Sequence, residues 1–405
     1  MKRLIIKNLG PLAEADLTLS KINIIVGTQS SGKSCVLKSA CYCTWVEKRI
    51  ELTQQPNYFA EDDHFIKEFI RFHKLQGYIR DNTYIEYESD YMRFSYNHQN
   101  KEFNFNWKDG RWNFNRSKVT YIPAERNMVA VIQNWFDIKL DEDNIKSFMA
   151  DWETARKATI TNLDILNLGV AYHYDSSQAN SDIVSVGNGV NLAIKDTSSG
   201  LQSLIPLFVH LNYLDKIQYT QDNSDSISKI NENGELLRVI YEKLFQITGK
   251  TTSQQGVPQK NEDGKTTLSA SITLSKIGSY TLLFKNEKEA KECNEIYKRY
   301  TENQYCNIFL EEPEENLFPP TQTRLVEWLL EMSQGDHGSN LFIATHSPYI
   351  VTSFVEKENI EMSLFFTYIN ESGFSFVKTA SATDIQEIYD NGVDVFFNLE
   401  NFIDE

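Results

Sequence analysis

The segment GTQSSGKS at residues 27–34 constrains this chain more than any other, because it has the spacing Gly-x-x-x-x-Gly-Lys-Ser. The apolar run at residues 22–26 predicts a strand before it, and residues 34–45 predict a helix after it. In such a strand–loop–helix unit, glycines let backbone N–H groups curl around a phosphate, and the helix points its positive dipole end at that phosphate. The sequence therefore predicts an α/β fold with a nucleotide site at this loop.

The side chains of this loop suit the terminal phosphates of ATP and a magnesium ion. Lys33 places a positive charge between the β- and γ-phosphates, and the Ser34 hydroxyl ligates Mg²⁺ in loops of this spacing. The residues of the loop that we expect to bind the nucleotide are Gly27, Ser30, Ser31, Gly32, Lys33 and Ser34. We therefore expect ATP and Mg²⁺ as the cofactors of this chain.

A second apolar run, at residues 308–310, leads into the acidic pair Glu311 and Glu312. In open α/β sheets, ligands sit at the carboxyl ends of buried parallel strands. We expect Glu311 to hold Mg²⁺, directly or through water, and Glu312 to accept a proton from the attacking water or to orient it. The alternative is an acidic turn before Pro313, which the phosphate loop upstream makes the less favoured interpretation.

Residues 341–345 predict another buried strand, and His346 follows it directly. A neutral imidazole at that edge can hydrogen-bond the γ-phosphate or the attacking water. A lone histidine at a strand end is more often a cap or a surface residue. Its place after the acidic strand favours a catalytic role for His346, together with Lys33 and Glu312.

The segment DTSSGLQ at residues 196–202 places Ser198, Ser199 and Gly200 just before an apolar helix. Such residues at a helix N-terminus form an anion site, although an ordinary helix N-cap has the same composition. A single chain has no obvious need for a second phosphate clamp. The segment becomes intelligible if it binds the ATP of a neighbouring subunit.

The order of these motifs resembles the ATP-binding-cassette (ABC) ATPase superfamily, and within it the soluble branch of SMC, RecF and overcoming-lysogenization-defect (OLD) ATPases. The forms EEPEENLFP at residues 311–319 and THSP at 345–348 are typical of OLD-like members. The resemblance implies ATP hydrolysis and a homodimer or higher homo-oligomer. Two chains would sandwich two ATP molecules, each between Lys33 of one chain and residues 198–200 of the other, with Asn316 in the D-loop at the interface.

Two features depart from this pattern. Transport ATPases carry a glutamine after the strand that here leads into Ala124-Glu125-Arg126, and Gln54, Gln55 and Glu125 stay open as substitutes. The Ser-Ser-Gly segment is also looser than the Ser-Gly-Gly signature of the superfamily.

Along the chain, the patterns predict one ABC-type ATPase head over residues 1–405, with an antiparallel β subdomain, a helical lobe and no long coiled coil. Its expected parts are N-terminal strands and the phosphate loop (1–45), an antiparallel β-meander with a hairpin turn at 108–110 (77–123), a helical arm (127–168), the half that carries the signature, acidic strand and histidine (196–360), and a C-terminal hairpin and helix (361–405). Another hairpin is expected at 172–195, turning at 187–189, and the polar segments 218–233 and 250–265 are expected to be loops. The alternating aromatic residues of the meander could stack on bases, but core packing is the favoured interpretation.

The composition of the chain bears on its possible binding partners and on the compartment in which it works. The net charge of −16 does not indicate DNA binding, although local basic patches stay possible. The sequence has neither an apolar run of transmembrane length nor a secretory leader, so we expect a cytoplasmic protein without a membrane partner. Its five cysteines are odd in number and unclustered, which favours core packing over disulfides or zinc.

The resemblance leaves the biological role open among three hypotheses. Only about fifty residues follow the THSP segment, fewer than a TOPRIM nuclease domain needs, so we expect any nuclease to be a separate partner. The acidic residues Asp390, Asp394, Glu400, Asp404 and Glu405 are expected to be a solvated tail. The first hypothesis is a sensor or regulator of a separate nuclease or toxin in anti-phage defence, as in Septu- and PARIS-type systems. The others are a RecF-like DNA clamp and, less favoured, a transporter ATPase subunit.

Overall fold

The computed structural model describes residues 2–132, 135–137, 139–178, 181–220, 227–245, 273–278, 280–357, 360–394, 396 and 402. Its strands are β1 (Lys2–Leu9), β2 (Leu12–Leu19), β3 (Ile22–Gly27), β4 (Ile79–Glu88), β5 (Met92–Asn97), β6 (Glu102–Trp107), β7 (Ser117–Ile122), β8 (Leu163–Asp164), β9 (Ala171–Tyr174), β10 (Asp182–Val186), β11 (Val190–Ala193), β12 (Thr273–Ile277), β13 (Tyr280–Phe284), β14 (Tyr305–Glu311), β15 (Asn340–Thr345), β16 (Met362–Ile369) and β17 (Ser375–Thr379). Its α-helices are α1 (Lys33–Thr53), α2 (His64–His73), α3 (Met128–Val131), α4 (Asn144–Ala158), α5 (Ser199–Asn212), α6 (Ile227–Ile240), α7 (Glu287–Thr301), α8 (Pro319–Gln334), α9 (Pro348–Val355) and α10 (Ala382–Asn391).

The main sheet combines a parallel centre with an antiparallel flank. Its strand order is β6-β5-β4-β1-β2-β17-β16-β3-β15-β14-β7. Strands β16, β3, β15, β14 and β7 run parallel to one another, whereas β6, β5, β4, β1 and β2 pair antiparallel. The predicted α/β fold class is therefore confirmed. Among the described helices α1 is the longest at 21 residues, so that part of the chain contains no long coiled coil.

Strand β3 is buried on both faces, as a central parallel strand must be. Successive side chains of a strand point to opposite faces. Ile24 and Val26 accordingly join the apolar cluster that contains α5, α8 and α9. Ile25 instead joins the cluster formed by α1, α2 and the antiparallel strands. This double packing fixes the position of the loop that follows β3.

The helical lobe contains α3, α4 and α5 beside a small sheet of order β11-β10-β9-β8. Phe148 and Trp152 of α4 are fully buried, and Trp135 is nearly so; the side chain of Phe136 lies outside the described part. The helical pattern ends at Ala158 and not near residue 168, because β8 follows and pairs with β9. The hairpin expected at 172–195 is present, with β10 and β11 joined at residues 187–189.

The meander is shorter than the sequence pattern predicts. Strands β4, β5 and β6 pair antiparallel, but β7 pairs parallel with β14 and belongs to the centre of the sheet. The predicted hairpin turn at 108–110 is wrong, since a 3₁₀ helix at Asp109–Asn113 leads away from β6 towards β7. The Lys-Asp-Gly sequence is a local turn signal, and it carries no information about a pairing partner far along the chain.

The aromatic residues of the meander pack into the core. Phe94 and Tyr96 on β5 are buried, and Phe103, Phe105 and Trp107 on β6 are partly buried against the same apolar cluster. Alternating aromatic side chains thus cover one face of an antiparallel sheet, which is the interpretation that the pattern favoured.

Other sequence expectations have mixed outcomes. The loop predicted at 218–233 is wrong from residue 227 onwards, where α6 begins; residues 221–226 and 246–272, including 250–265, lie outside the described residues. All five cysteines are buried thiols without a disulfide. The C-terminal hairpin and helix are present as β16, β17 and α10, whereas Glu400, Asp404 and Glu405 are not described. None of the helices in the described ranges has the length and apolar composition to cross a bilayer.

Candidate functional site

Three neighbouring parallel strands end at one cavity. Strands β3, β15 and β14 lie side by side, and their carboxyl ends carry the phosphate loop, His346 and the acidic pair. The cavity has a volume of about 400 Å³ and is lined by Pro11, Gln29, Ser30, Gly32, Lys33, Ser34, Cys35, Tyr78, Glu311, Glu312, Ala344 and His346. Its size and its position at the strand ends are those of a small-ligand site in a parallel α/β sheet.

The phosphate loop requires glycine at both ends. A Cβ atom on Gly27 would lie 2.1 Å from the main-chain oxygen of Thr367 on the neighbouring strand β16. Gly32 has φ 97°, the left-handed conformation that glycine adopts at low cost, and a Cβ there would lie 2.8 Å from Leu12. The loop can therefore wrap tightly at the start of α1 only with these two glycines.

Two of the loop residues predicted to bind nucleotide, Gly27 and Ser31, instead contact the strand behind the loop. Gly27 and Ser31 are buried and do not line the cavity. The Ser31 hydroxyl lies 2.7 Å from the Thr28 oxygen and 2.5 Å from the Thr367 hydroxyl. Strand β16 thus anchors the loop, while Ser30, Gly32, Lys33 and Ser34 face the cavity.

Lys33 points its ammonium group into its own loop. Its Nζ donates hydrogen bonds to the main-chain oxygens of Gly27 at 3.0 Å and Thr28 at 2.7 Å. Burial lowers the pKa of Lys33 to about 8, although the nearby carboxylates of Glu312 and Glu314 favour the charged form. A phosphate in the cavity would supply the full negative charge that the two carbonyl groups supply only in part.

The acidic pair lies at the end of β14 in an unusual backbone conformation. Glu311 is 7% exposed and lines the cavity. Glu312 has φ 43°, and its N–H donates to the Ala344 oxygen at 2.8 Å. A non-glycine residue at positive φ costs energy, and the surrounding contacts must compensate for it.

Arg126 provides those contacts, and sequence reasoning did not give it this role. Its guanidinium is fully buried and donates to the main-chain oxygens of Glu311 at 2.9 Å and Glu312 at 2.8 Å. It also lies 3.8 Å from the Glu315 carboxylate. Arg126 therefore fixes the backbone that carries both acidic side chains. The available signal was the arginine in YIPAER, which follows the edge strand β7 of the parallel centre.

His346 lies beside Glu312, with 3.7 Å between Nε2 and Oε1. Burial, followed by the charge of Lys33, lowers the pKa of His346 below 6.5, so the imidazole is neutral at pH 7. The Glu314 carboxylate holds this segment by accepting hydrogen bonds from the His346 N–H at 2.7 Å and the Thr345 hydroxyl at 2.8 Å. Glu314 is thus a second positioning residue, and it is the last residue of the EEPE sequence at 311–314, for which the sequence predicts no separate role.

The donor set fits ATP with one magnesium ion. In the first turn of α1, Lys33, Ser34 and Cys35 have N–H groups without intrahelical partners, which is the arrangement that binds phosphate. Ser34 and Glu311 line the same cavity. In the described ranges no cluster of three or more His, Cys, Asp or Glu side chains is placed to hold a metal ion. Mg²⁺ at nucleotide sites needs few protein ligands, because phosphates and water complete its coordination.

Pro11 and Tyr78 close the cavity at the end formed by the antiparallel flank. Tyr78 is 39% exposed, and its ring contacts Gly10, where φ is 53°. A partly exposed aromatic ring beside a phosphate loop is suited to stacking on a nucleotide base. The sequence offered no specific signal for Tyr78, since its approach to the loop depends on β1 pairing with β4.

The signature segment lies on a different surface of the same chain. Ser198 and Ser199 are exposed at the start of α5, and neither they, Gly200 nor Asn316 line the cavity. A Cβ on Gly200 would lie 3.0 Å from the Asn316 oxygen, and the Asn316 amide donates to the Ser203 hydroxyl at 2.9 Å. The signature and the predicted D-loop residue therefore form one continuous surface.

None of the three residues left open as replacements for the glutamine lines the cavity. Gln54 caps the C-terminal end of α1, and its side chain accepts a hydrogen bond from Arg111. A 21-residue helix is about 30 Å long, so Gln54 and Gln55 lie far from the phosphate loop at the other end. Glu125 is exposed just beyond β7, beside Arg126, and does not line the cavity.

No protein-family model and no curated protein matches the sequence. Solved structures similar to this chain include the SMC head domain from Thermotoga maritima, with 10% identity over 94% of this chain and 98% of that one, at a TM-score of 0.42. The recombination mediator protein RecF, in a complex with ATP, shows 12% identity over 94% of this chain and 97% of that one, at a TM-score of 0.31. An ATP-binding cassette of an ABC transporter shows 10% identity over 98% of this chain and 99% of that one, also at a TM-score of 0.31. Likenesses of this extent support no inference about chemistry, which rests on the residues of this chain.

Proposed function

We propose that this protein is an ATPase that works as a molecular switch. The observation that carries the proposal is the convergence of Lys33, Glu312 and His346 on one cavity, at the ends of three adjacent strands. A phosphate loop with an acidic strand and a histidine supplies the three functions that hydrolysis needs. These are charge neutralisation at the phosphates, orientation of water and detection of the γ-phosphate.

In this mechanism each residue has a defined task. Lys33 leaves the oxygens of its own loop and binds the β- and γ-phosphates, while the free N–H groups of the α1 N-terminus hold the same phosphates. Mg²⁺, held by Ser34 and Glu311, would neutralise the charge that develops on the phosphate oxygens. Glu312 orients the attacking water and takes its proton, and neutral His346 donates a hydrogen bond to the γ-phosphate.

The direct test is phosphate release from ATP and Mg²⁺ by the wild-type chain, Lys33→Ala and Glu312→Gln. We expect Lys33→Ala to lose ATP binding and hydrolysis together. Glu312→Gln should bind ATP with unchanged affinity but hydrolyse it at least about 100-fold more slowly, because only the general base is removed. Hydrolysis by Glu312→Gln at the wild-type rate would contradict the mechanism.

We further propose that two chains close around two ATP molecules. The support is the placement of Ser198 and Ser199, which are exposed beside Asn316 and outside their own chain's cavity. Phe318, two residues beyond Asn316, is 73% exposed, so a large apolar side chain follows this segment directly and is available for contact with a partner.

Mixing two inactive variants tests this arrangement. Lys33→Ala has a non-functional phosphate loop, and Ser199→Arg has a non-functional signature segment. Each homodimer should therefore be inactive. A mixed dimer contains one intact composite site, and activity should return on mixing. If the mixture stays inactive while Ser199→Arg alone still binds ATP, the composite site is wrong.

For the biological role, we propose a regulator that controls a separate nuclease or toxin in anti-phage defence. The support is the OLD-like motif set and an ATPase head whose described part has no long coiled coil. Purification of tagged Glu312→Gln with ATP from its own host should recover an effector in stoichiometric amount. Recovery of replication or repair proteins instead would favour the RecF-like DNA clamp, against which the net charge of −16 counts.

A further inference from the structure

A second cavity lies along the C-terminal half of α1, enclosed by α2, β7 and parts of α4 and α6. Its volume is about 570 Å³, and its lining shares no residue with the cavity at the phosphate loop. Of the motifs discussed above, only YIPAER reaches it, through Tyr121. Its chemistry therefore needs its own explanation.

The lining of this cavity is rich in basic side chains, although the protein as a whole is acidic. Four basic side chains line it, namely Lys48, Arg49, Arg71 and Lys118. The acidic side chains among the described lining residues are Glu68 and Glu232, so basic groups outnumber acidic ones by two. In a chain with a net charge of −16, such a local concentration of basic groups favours an anionic ligand.

Within the described ranges, the ammonium group of Lys48 has no hydrogen bond or ion pair to another residue. Lys118, by contrast, is paired with Asp151 at 2.7 Å. Burial, together with the charges of Arg116 and Lys118, lowers the pKa of Lys48 to about 7. Partial removal of a cation from water is costly when no carboxylate faces it, and a bound anion would offset that cost.

His73 is the second unpartnered group at this cavity. Its ring is 0% exposed, and neither ring nitrogen has a hydrogen-bond partner. Burial lowers the pKa of His73 well below 6.5, so the ring is neutral and offers one donor and one acceptor. Two unmet donors, on Lys48 and His73, line the same cavity, and a phosphate oxygen could accept from both.

Aromatic rings make up much of the remaining lining. Tyr42 and Trp45 stack with their centroids 5.7 Å apart, and Arg49 lies over the Trp45 ring at 5.6 Å. Tyr121 and Phe72 also line the cavity. Aromatic and guanidinium planes are the groups that proteins use to stack on nucleobases.

We propose that this cavity binds a nucleoside monophosphate, with the phosphate at Lys48 and His73 and the base against the aromatic rings. The site is distinct from the ATP cavity and does not depend on the ATPase proposal. Tyr121 connects the two places, since it lines this cavity and pairs with Phe309, two residues before Glu311 on β14. The ligand would therefore contact β7, which is hydrogen-bonded to the strand β14 that carries Glu311.

Equilibrium dialysis of the full chain with AMP, GMP, CMP and UMP tests the proposal. Every variant is also prepared with Lys33→Ala, so that binding at the phosphate loop is removed. We expect at least one monophosphate to bind. The corresponding nucleoside, which lacks the phosphate, and ribose 5-phosphate, which lacks the base, should each bind at least tenfold more weakly than that monophosphate. Lys48→Met should weaken binding at least tenfold, whereas Lys67→Met, a matched change on the exposed face of α2, should leave it unchanged.

His73→Phe provides a second variant that keeps the volume and the aromatic packing of the ring. It should weaken binding of the monophosphate and not of the nucleoside. If none of the four monophosphates binds below 1 mM (about −4 kcal/mol), the proposal is overturned. It is equally overturned if binding persists unchanged in both Lys48→Met and His73→Phe.

Discussion

Replacement of Arg126 by methionine should uncouple ATP binding from hydrolysis. Arg126 is fully buried and donates two charged hydrogen bonds to the main-chain oxygens of Glu311 and Glu312. A hydrogen bond to a charged group contributes about 1.5–3 kcal/mol, so two contribute about 3–6 kcal/mol. Burial of the arginine charge opposes this gain, as its lowered pKa indicates. We therefore expect Arg126→Met to lower the free energy of unfolding by about 2–4 kcal/mol.

The effect on catalysis should exceed the effect on nucleotide affinity. Without Arg126, Glu312 loses the contact that holds its positive-φ backbone, and a displacement of about 1 Å at a catalytic group costs about 100-fold in rate. The phosphate loop does not touch Arg126, so the Kd for ATP should change less than about threefold. Single-turnover hydrolysis and calorimetric titration with ATP measure the two quantities separately.

Two variants serve as controls for Arg126→Met. Arg126→Lys keeps the charge but cannot reach both oxygens, so it should restore stability more than rate. Arg324→Met removes an exposed arginine that donates to the Asn167 oxygen at 3.1 Å, and it should leave the rate unchanged. A folded Arg126→Met protein that hydrolyses ATP at the wild-type rate would refute the positioning role.

Three further predictions follow from the geometry. Gly27→Ala should abolish ATP binding in calorimetry and lower Tm, because its Cβ would collide with the Thr367 oxygen; wild-type affinity would contradict this. The Kd for ATP should rise about tenfold per pH unit above pH 8, because the Lys33 pKa of about 8 leaves the free amine uncharged there and phosphate binds the ammonium form. Lys33→Arg should flatten that profile, and an equal slope in both proteins would exclude Lys33 as its cause. Lys48→Met should raise Tm at pH 7, because the folded protein holds the charged form of Lys48 less favourably than the unfolded chain does. The gain should shrink as the pH rises towards 10, because the folded protein has already released the Lys48 proton that the unfolded chain still binds, so a higher pH stabilises the wild type. A Tm below that of the wild type at pH 7 would contradict this prediction.

The sequence predicts the parts of the site that local chemistry determines. The phosphate loop, the acidic pair and His346 each follow a buried apolar strand, and parallel strands bring such ends together. The spacing around residues 27–34 carries its own mechanism, because glycine, lysine and serine are each needed at a set position. Each of these features is therefore visible in the local sequence, although their meeting at one cavity depends on the pairing of β3, β15 and β14.

The residues that position the site could not be predicted in the same way. Arg126 reaches the acidic pair only because β7 pairs with β14, and the two strands are far apart in the sequence. Tyr78 approaches the cavity because β4 pairs with β1. The turn predicted at 108–110 failed for the same reason, since a turn signal does not specify which strand follows. Long-range pairing was thus the missing information in each case.

If two chains close around two ATP molecules and Glu312 activates the attacking water, Glu312→Gln should trap the closed dimer, and its mass in solution is the measurement to make. Light scattering during gel filtration, with saturating ATP and Mg²⁺, should give twice the mass of one chain. Without nucleotide the dimer should be reduced or absent, and Ser199→Arg in the same background should remain at the mass of one chain with ATP bound. A Glu312→Gln protein that binds ATP and still elutes at the mass of one chain would show that ATP does not drive dimerisation.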